Sequence, residues 1–179
     1  RRVLFRSGVR KGRQAIWTRA SQAAEEGEWD DVLQSLDEWH DHSTEDDNED
    51  SLVRLSDGTL TSGRLAAARL LTQLPDEQRR EREDRVGGRA RTLLDQAVQS
   101  GDLRELAVAA SRYFGTHAGY DAANRLATRL LDNGDFALAA RWLLLLRDAD
   151  AVVSREPAWQ KRTQLVLSVT GLGSDEKNP

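Results

Sequence analysis

The sequence predicts a mainly α chain: antiparallel helix pairs stacked as a short, imperfect solenoid, with one short β-hairpin inserted. Three observations carry this. First, three turns share one pattern of Gly, acid, large apolar residue, then apolar residues at helical spacing. Gly27-Glu28-Trp29 leads to Val32, Leu33 and Leu36; Gly101-Asp102-Leu103 leads to Leu106, Ala107 and Ala110; Gly134-Asp135-Phe136 leads to Ala139, Ala140 and Leu143. Second, the segments ahead of two of these turns each line one helical face, with Ala90, Leu93, Leu94 and Ala97 before Gly101 and Ala123, Leu126, Ala127 and Leu130 before Gly134. Third, Leu52-Val53-Arg54-Leu55 and Thr59-Leu60-Thr61 alternate around Asp57-Gly58, a hairpin signal.

The turn pattern has a direct physical reading. Gly closes the preceding helix in a left-handed conformation open to few other residues. The acid caps the next helix or complements its dipole. The apolar residue anchors the second helix on the first. Gly101 and Gly134 stand 33 residues apart, near the roughly 34-residue period of tetratricopeptide (TPR) repeats. Gly27 stands 74 before Gly101, two periods with an insertion. The alternative is an irregular helical bundle with ordinary glycine caps.

Composition bounds the function. At 179 residues the chain holds one domain or a little more. An apolar share of 39% together with 13 Gly suffices for a core. A charged share of 31% with net charge −4 describes a mixed, ion-paired surface. The basic residues are dispersed among acids and form no continuous stripe, which argues against nucleic acid as partner. No apolar run approaches the roughly 18 residues of a membrane span. Zero Cys excludes disulfides, thiolate metal sites and a Cys nucleophile. The three histidines, His40, His42 and His117, leave little for a metal site or a general base. Basic residues are 23 Arg to 3 Lys, a skew that fits a GC-rich genome and leaves few candidates for a phosphate-loop or Schiff-base lysine.

Along the chain, residues 1–7 (Arg-Arg-Val-Leu-Phe-Arg-Ser) read as translated sequencing adapter at the edge of a metagenomic fragment, and are set aside from fold reasoning. The other reading is a genuine basic start. Without that run the net charge is about −7, and with the start absent the lack of a signal peptide is silent on location. Residues 8–42 form the first helical hairpin. Residues 43–61 hold an acidic loop and the β-hairpin. From Asp37 to Asp50 there are eight acids and no Lys or Arg, so the loop should be solvated. The hairpin must pack on a helix to be stable. Residues 62–171 hold the TPR-like repeats. Helix resumes near Ser62, with Leu65, Ala67, Ala68 and Leu71 inward. Leu74-Pro75-Asp76-Glu77 stops it and starts the next, with Pro at the first helical position. Asp76 to Arg85 is almost wholly charged and reads as an exposed, ion-paired helix that Gly87-Gly88 breaks. Pro157 opens the last helix, with Trp159, Leu165, Val166 and Val169 apolar, ending at Gly171. Residues 172–179 read as a truncated tail.

Candidate sites are few. The His40–Asp50 run has imidazoles and carboxylates, but an EF-hand loop starting at Asp46 would have Ser51 at its sixth position and Asp57 at its twelfth, where Gly and Glu are required. Gly87-Gly88-Arg89 has no Gly-Lys-Ser/Thr after it and no strand before it. No Gly-x-Ser-x-Gly elbow occurs. Catalytic, cofactor and metal residues are therefore expected to number none. The run Trp142-Leu143-Leu144-Leu145-Leu146 exceeds one helical face. Either it is covered on both faces within the chain, or Trp142 and Leu145 face a partner. In Tyr113–Tyr120, Tyr113 and Phe114 end one helix, Gly115 allows the turn, Thr116 caps the next helix and Tyr120 packs back across the corner.

The stretch Ser111-Arg112-Tyr113-Phe114-Gly115-Thr116-His117-Ala118-Gly119-Tyr120-Asp121-Ala122-Ala123 runs on through Leu126, Leu131-Asp132-Asn133-Gly134-Asp135 and Ala139. With Ala90-Arg91-Thr92-Leu93-Leu94-Asp95 and Gly101-Asp102-Leu103, it resembles the N-terminal helical region of large bacterial, planctomycete-type PQQ-binding-like β-propeller proteins. The likeness covers most of Gly8 to Gly171. It departs where aromatic residues are expected ahead of Gly87, since this chain has Arg82 and Val86. The resemblance implies TPR-like helices preceding a propeller, and a cell-envelope or periplasmic location. No cofactor contact carries onto any residue here, because the propeller sequence is absent. The function expected is a non-enzymatic scaffold or protein-interaction module contacting its own propeller or another protein. The alternatives are a stand-alone TPR-like adaptor binding a peptide or partner helix, and an accessory region of an enzyme whose catalytic domain lies outside this stretch.

Overall fold

The computed structural model describes residues 11–41 and 52–172. The expectations for residues 1–7, for most of the acidic loop and for most of the tail lie outside the described residues. The order of elements is α1 (Lys11–Glu26), α2 (Trp29–Asp41), β1 (Leu52–Arg54), β2 (Leu60–Ser62), α3 (Gly63–Thr72), α4 (Asp76–Ser100), α5 (Leu103–Arg112), α6 (His117–Asp132), α7 (Phe136–Asp148), a 3₁₀ turn (Val152–Arg155) and α8 (Pro157–Thr170). The chain is mainly α, with one two-stranded antiparallel sheet among the described residues. It divides into two compact units, residues 1–70 and 71–179. None of the described helices is long and apolar enough to cross a membrane.

In the first unit, α1 and α2 form an antiparallel pair around Gly27. Gly27 has φ +79°, and the N–H groups of Gly27 and Glu28 donate to Ala24 and Ala23 carbonyls at 3.2 and 2.8 Å. This is the double bond of a Schellman closure, which needs a left-handed residue. Ile16, Trp17 and Ala20 of α1 and Val32, Leu33, Leu36 and Trp39 of α2 are buried. Arg19 ties the pair, donating to Ser35 Oγ at 3.0 Å and pairing with Glu38. α2 runs through the first five residues of the acidic Asp37–Asp50 stretch, to Asp41, and His40 is buried with its ring edge-on to Trp39.

The hairpin forms where alternation places it, pairing Leu52 with Ser62, Val53 with Thr61 and Arg54 with Leu60. Its turn uses Gly58 at φ +84°, and the Asp57 carboxylate accepts the Thr59 N–H at 2.8 Å. That bond holds the Asp57 carboxyl below the usual carboxylate range. The helix the hairpin needs is α1. Gln14 accepts the Arg54 N–H at 2.8 Å and donates to the Arg54 carbonyl at 2.9 Å. One side-chain amide thus satisfies both outward backbone groups of that residue, as a further strand would. In α3, Leu65, Ala67, Ala68 and Leu71 are all buried, as is Ala66.

In the second unit, α4 packs on α5 and α6, α6 on α5 and α7, and α7 on α8. Gly101 closes α4 at φ +67° with a single bond to the Ala97 carbonyl. Gly134 closes α6 at φ +83° with the double Schellman bond to Leu131 and Leu130. α7 ends the same way on a non-glycine residue, Asp150 at φ +49°, which with Asn belongs to the few side chains tolerated there. Asp102 caps α5 through its side chain, accepting the Arg104 N–H at 2.7 Å, whereas Asp135 makes no such bond to α7. The shared Gly–acid pattern therefore fixes the left-handed turn in each case, but not the cap.

Three expectations are corrected. Gly87-Gly88 does not break the helix: α4 runs unbroken for 25 residues. Neither glycine is left-handed, and two interior glycines cost only about 2 kcal/mol together, less than the burial along α4 returns. Nor is Asp76 to Arg85 wholly exposed, because Arg82 is 1% exposed and is the largest fully buried side chain among the described residues. Pro75 stands one position before the helix, at its N-cap, rather than in its first turn.

Candidate functional site

The corner between α5 and α6 explains Arg82. Gly115 turns the chain at φ +91°. Thr116 caps α6, its Oγ1 accepting the Gly119 N–H at 3.1 Å and donating to the Tyr113 carbonyl at 2.8 Å. Phe114 is fully buried and meets Tyr120 edge-to-face with ring centroids 5.1 Å apart. Gly119 has no room for a side chain. A Cβ there would overlap the Tyr113 carbonyl and come within 2.8 Å of the Phe114 nitrogen.

Neighbouring side chains of α4 serve the two helix ends at this corner. Arg82 donates from Nη2 to the Arg112 carbonyl, the last residue of α5, at 2.7 Å. Glu83 accepts the N–H of His117, the first residue of α6, at 2.7 Å, and lies 3.2 Å from His117 Nδ1. A cation thus meets the carbonyl end of one helix and an anion the N–H end of the next, as the helix dipoles favour. Gly87 makes room for this. The Glu83 carboxylate lies 2.5 Å from where a Gly87 Cβ would stand. Stepping back from Ala97 through Leu94 and Ala90 by about four residues reaches Val86 and Arg82. The helical stripe therefore pointed at Arg82, although its residue type concealed it.

The polar surface of α6 joins α8. Asn124 Oδ1 accepts from Trp159 Nε1 at 3.0 Å and from Arg162 Nη2 at 2.9 Å, while Arg162 Nη1 donates to Thr128 Oγ1 at 3.1 Å. On the side of α6 toward α4, Arg91 lies 3.7 Å from Asp121, which also pairs with Arg125 at 2.9 Å. A cleft of about 230 Å³ opens between the α4–α5 turn and α6. Its apolar wall includes Val98, Leu103 and Leu106, and its polar wall Arg125, Thr128 and Arg129. Beside the far end of the corner, burial pushes the Tyr120 phenol above the ordinary tyrosine value. The Arg155 guanidinium, 2.6 Å from Asp150, holds that carboxyl low.

The predicted site residues fall into two groups. Gly27, Gly101, Gly134 and Gly115 are left-handed turns and Thr116 is a cap, all local to their own helix junctions. Trp142 and Leu145 are 2% and 7% exposed, and Trp142 lies 6.4 Å from the Phe114 ring. The long apolar run of α7 is thus spent inside the chain's own core. The large exposed apolar side chains of α7 are Phe136 and Leu138 instead. Among the described residues no group of three or more His, Cys, Asp or Glu could hold a metal ion. No family model matches the chain, and neither does any curated protein or solved structure.

Proposed function

We propose that this chain is a non-enzymatic helical scaffold, a TPR-like module that presents a helix-lined surface to another polypeptide and stands N-terminal to a PQQ-like β-propeller in the intact protein. The observation that supports the scaffold reading is the recurrence within the second unit. Two helix pairs, α4–α5 and α6–α7, each turn at a left-handed glycine, 33 residues apart. The first helices of successive pairs touch in a row, α4 to α6 through Arg91 and Asp121, and α6 to α8 through Asn124, Trp159 and Arg162. Such rows stack by nearest-neighbour contact and use their side chains for recognition rather than chemistry. The propeller, and with it envelope placement, rests on the resemblance of the Ser111–Ala123 stretch. A sequencing read of the coding locus past the Pro179 codon tests it: repeated four-stranded blocks are expected, and a stop codon there removes that part of the proposal.

A second reading, an adaptor for a peptide or partner helix, is favoured by the cleft beside Val98, Leu103 and Arg129. Val98 is 48% exposed, so apolar surface is offered next to cationic groups. For a partner identified by cross-linking, calorimetric titration against Val98→Asp and Arg129→Glu checks this. Loss of binding with unchanged circular dichroism is expected; unaltered affinity in both variants places the contact elsewhere.

A further inference from the structure

We propose that the outer ridge of α8 pairs with the same ridge on a second copy of this chain. The left-handed glycines Gly101, Gly134 and Gly171 end α4, α6 and α8 and supply a common frame. Ten residues before them stand Arg91, Asn124 and Lys161. The first two touch the next helix of the row, Arg91 at Asp121 of α6 and Asn124 at Trp159 and Arg162 of α8. Six residues before the glycine stand Thr128, which also meets Arg162, and Leu165. Lys161 and Leu165 therefore mark the face of α8 on which the repeat places another helix. That face is bare among the described residues: Leu165 is 65% and Val169 68% exposed, one helical turn apart. A single exposed leucine is ordinary. Lys161 stands at the position that carries a helix contact twice before and Leu165 at one that carries it once, and the i, i+4 apolar pair Leu165–Val169 that continues this line is a docking ridge.

Charge selects the occupant. The α8 sequence contains no Asp or Glu, its cations are Lys161 and Arg162, and Arg162 is turned to α6. The ridge is thus an apolar centre with one cation to its N-terminal side, which is self-complementary in an antiparallel pair. A two-fold axis midway between Leu165 and Val169 sets each Leu165 against the other copy's Val169. Lys161 is then about 9 Å from the axis along the helix, beside the carbonyl end of the other α8 about 6 Å from the axis. A cation is favoured there by the helix dipole. No acid meets acid within the pair.

Sedimentation velocity of the full chain, from low-micromolar to sub-millimolar concentration, tests this. A reversible monomer–dimer equilibrium is expected. Leu165→Glu and Val169→Glu should each weaken it about tenfold or more, as loss of a central apolar contact does. Their circular dichroism should be unchanged, because both positions are exposed. The chain has no Cys, so Ser168→Cys supplies one thiol near the axis and should oxidise to a covalent dimer, whereas Glu156→Cys, just ahead of α8, should not. The Cys variants keep the test intact if a Glu variant unfolds. A monomer at every concentration, as when the ridge takes only a foreign helix, overturns the proposal. So does a dimer indifferent to both Glu substitutions, or equal cross-linking at the two thiols.

Discussion

Replacing Gly119 by alanine should destabilise the second unit, although alanine is the better helix former by about 1 kcal/mol. Gly119 lies in the first turn of α6, and the atoms a Cβ would meet are backbone: the Tyr113 carbonyl and the Phe114 nitrogen. Neither can swing aside as a side-chain end can, so the Tyr113–Thr116 turn or the start of α6 must move. That movement strains the packing, at about 1–3 kcal/mol. It also pulls the Gly119 N–H from Thr116 Oγ1, a cap worth about 1 kcal/mol, and disturbs the Phe114–Tyr120 ring pair, worth about 1 kcal/mol. Setting the propensity gain against these, the net loss is about 2–4 kcal/mol, a fall of about 10–20 °C in the melting temperature of a unit this size. The internal control is Gly88→Ala. Gly88 is also helical, but a Cβ there meets nothing within 4 Å, so about 0.5–1 kcal/mol of stabilisation is expected. Thermal unfolding followed by circular dichroism and calorimetry measures both. If Gly119→Ala melts within about 2 °C of the parent, less than half a kcal/mol on this scale, the overlap reasoning is wrong.

Other outcomes follow from the same contacts. Arg82→Met keeps much of the buried stem but leaves the Arg112 carbonyl without its charged donor, and should cost about 2–4 kcal/mol in urea unfolding. Asn124→Leu removes the acceptor of both Trp159 and Arg162; hydrogen exchange across 157–170 should accelerate about tenfold, the equivalent of one lost net hydrogen bond of about 1.4 kcal/mol. Burial raises the folded-state pKa of Tyr120 above its unfolded value near 10.0. Its contribution is then complete below pH 10 and is lost as pH rises through the higher folded value. Alkaline melting curves should show this loss, and Tyr120→Phe should flatten them. Gln14→Ala leaves the Arg54 N–H and carbonyl without their side-chain partner and should speed exchange in β1, with at most about 1 kcal/mol of global effect because the bonds are exposed.

Much of the fold was legible because its signals are local. Gly27, Gly101, Gly115 and Gly134 name left-handed turns by residue type alone, and Thr116 names a cap. Asp57-Gly58 between alternating strands names a hairpin. Arg82 and Trp142 show where this kind of reading stops. An arginine in a charged decapeptide reads as solvated, and its burial follows from a carbonyl 30 residues away. A tryptophan in an over-apolar run reads as either core or interface. The Phe114 ring beside it comes from the α5–α6 corner, a separate junction of the chain.

What the sequence determined by itself was the menu of elements, because helix periodicity, left-handed glycines and hairpin alternation are properties of a few consecutive residues. What only the tertiary structure decided was which surfaces remain. Gly87 is required inside α4 because the Glu83 carboxylate lies across it on the way to α6. Gly119 is obligatory because two helices meet there at backbone distance. α7 spends its apolar run internally while α8 keeps Leu165 and Val169 exposed. Each of these depends on groups far apart in the chain that close packing brings together, and the free energy of a buried or bare side chain belongs to that arrangement.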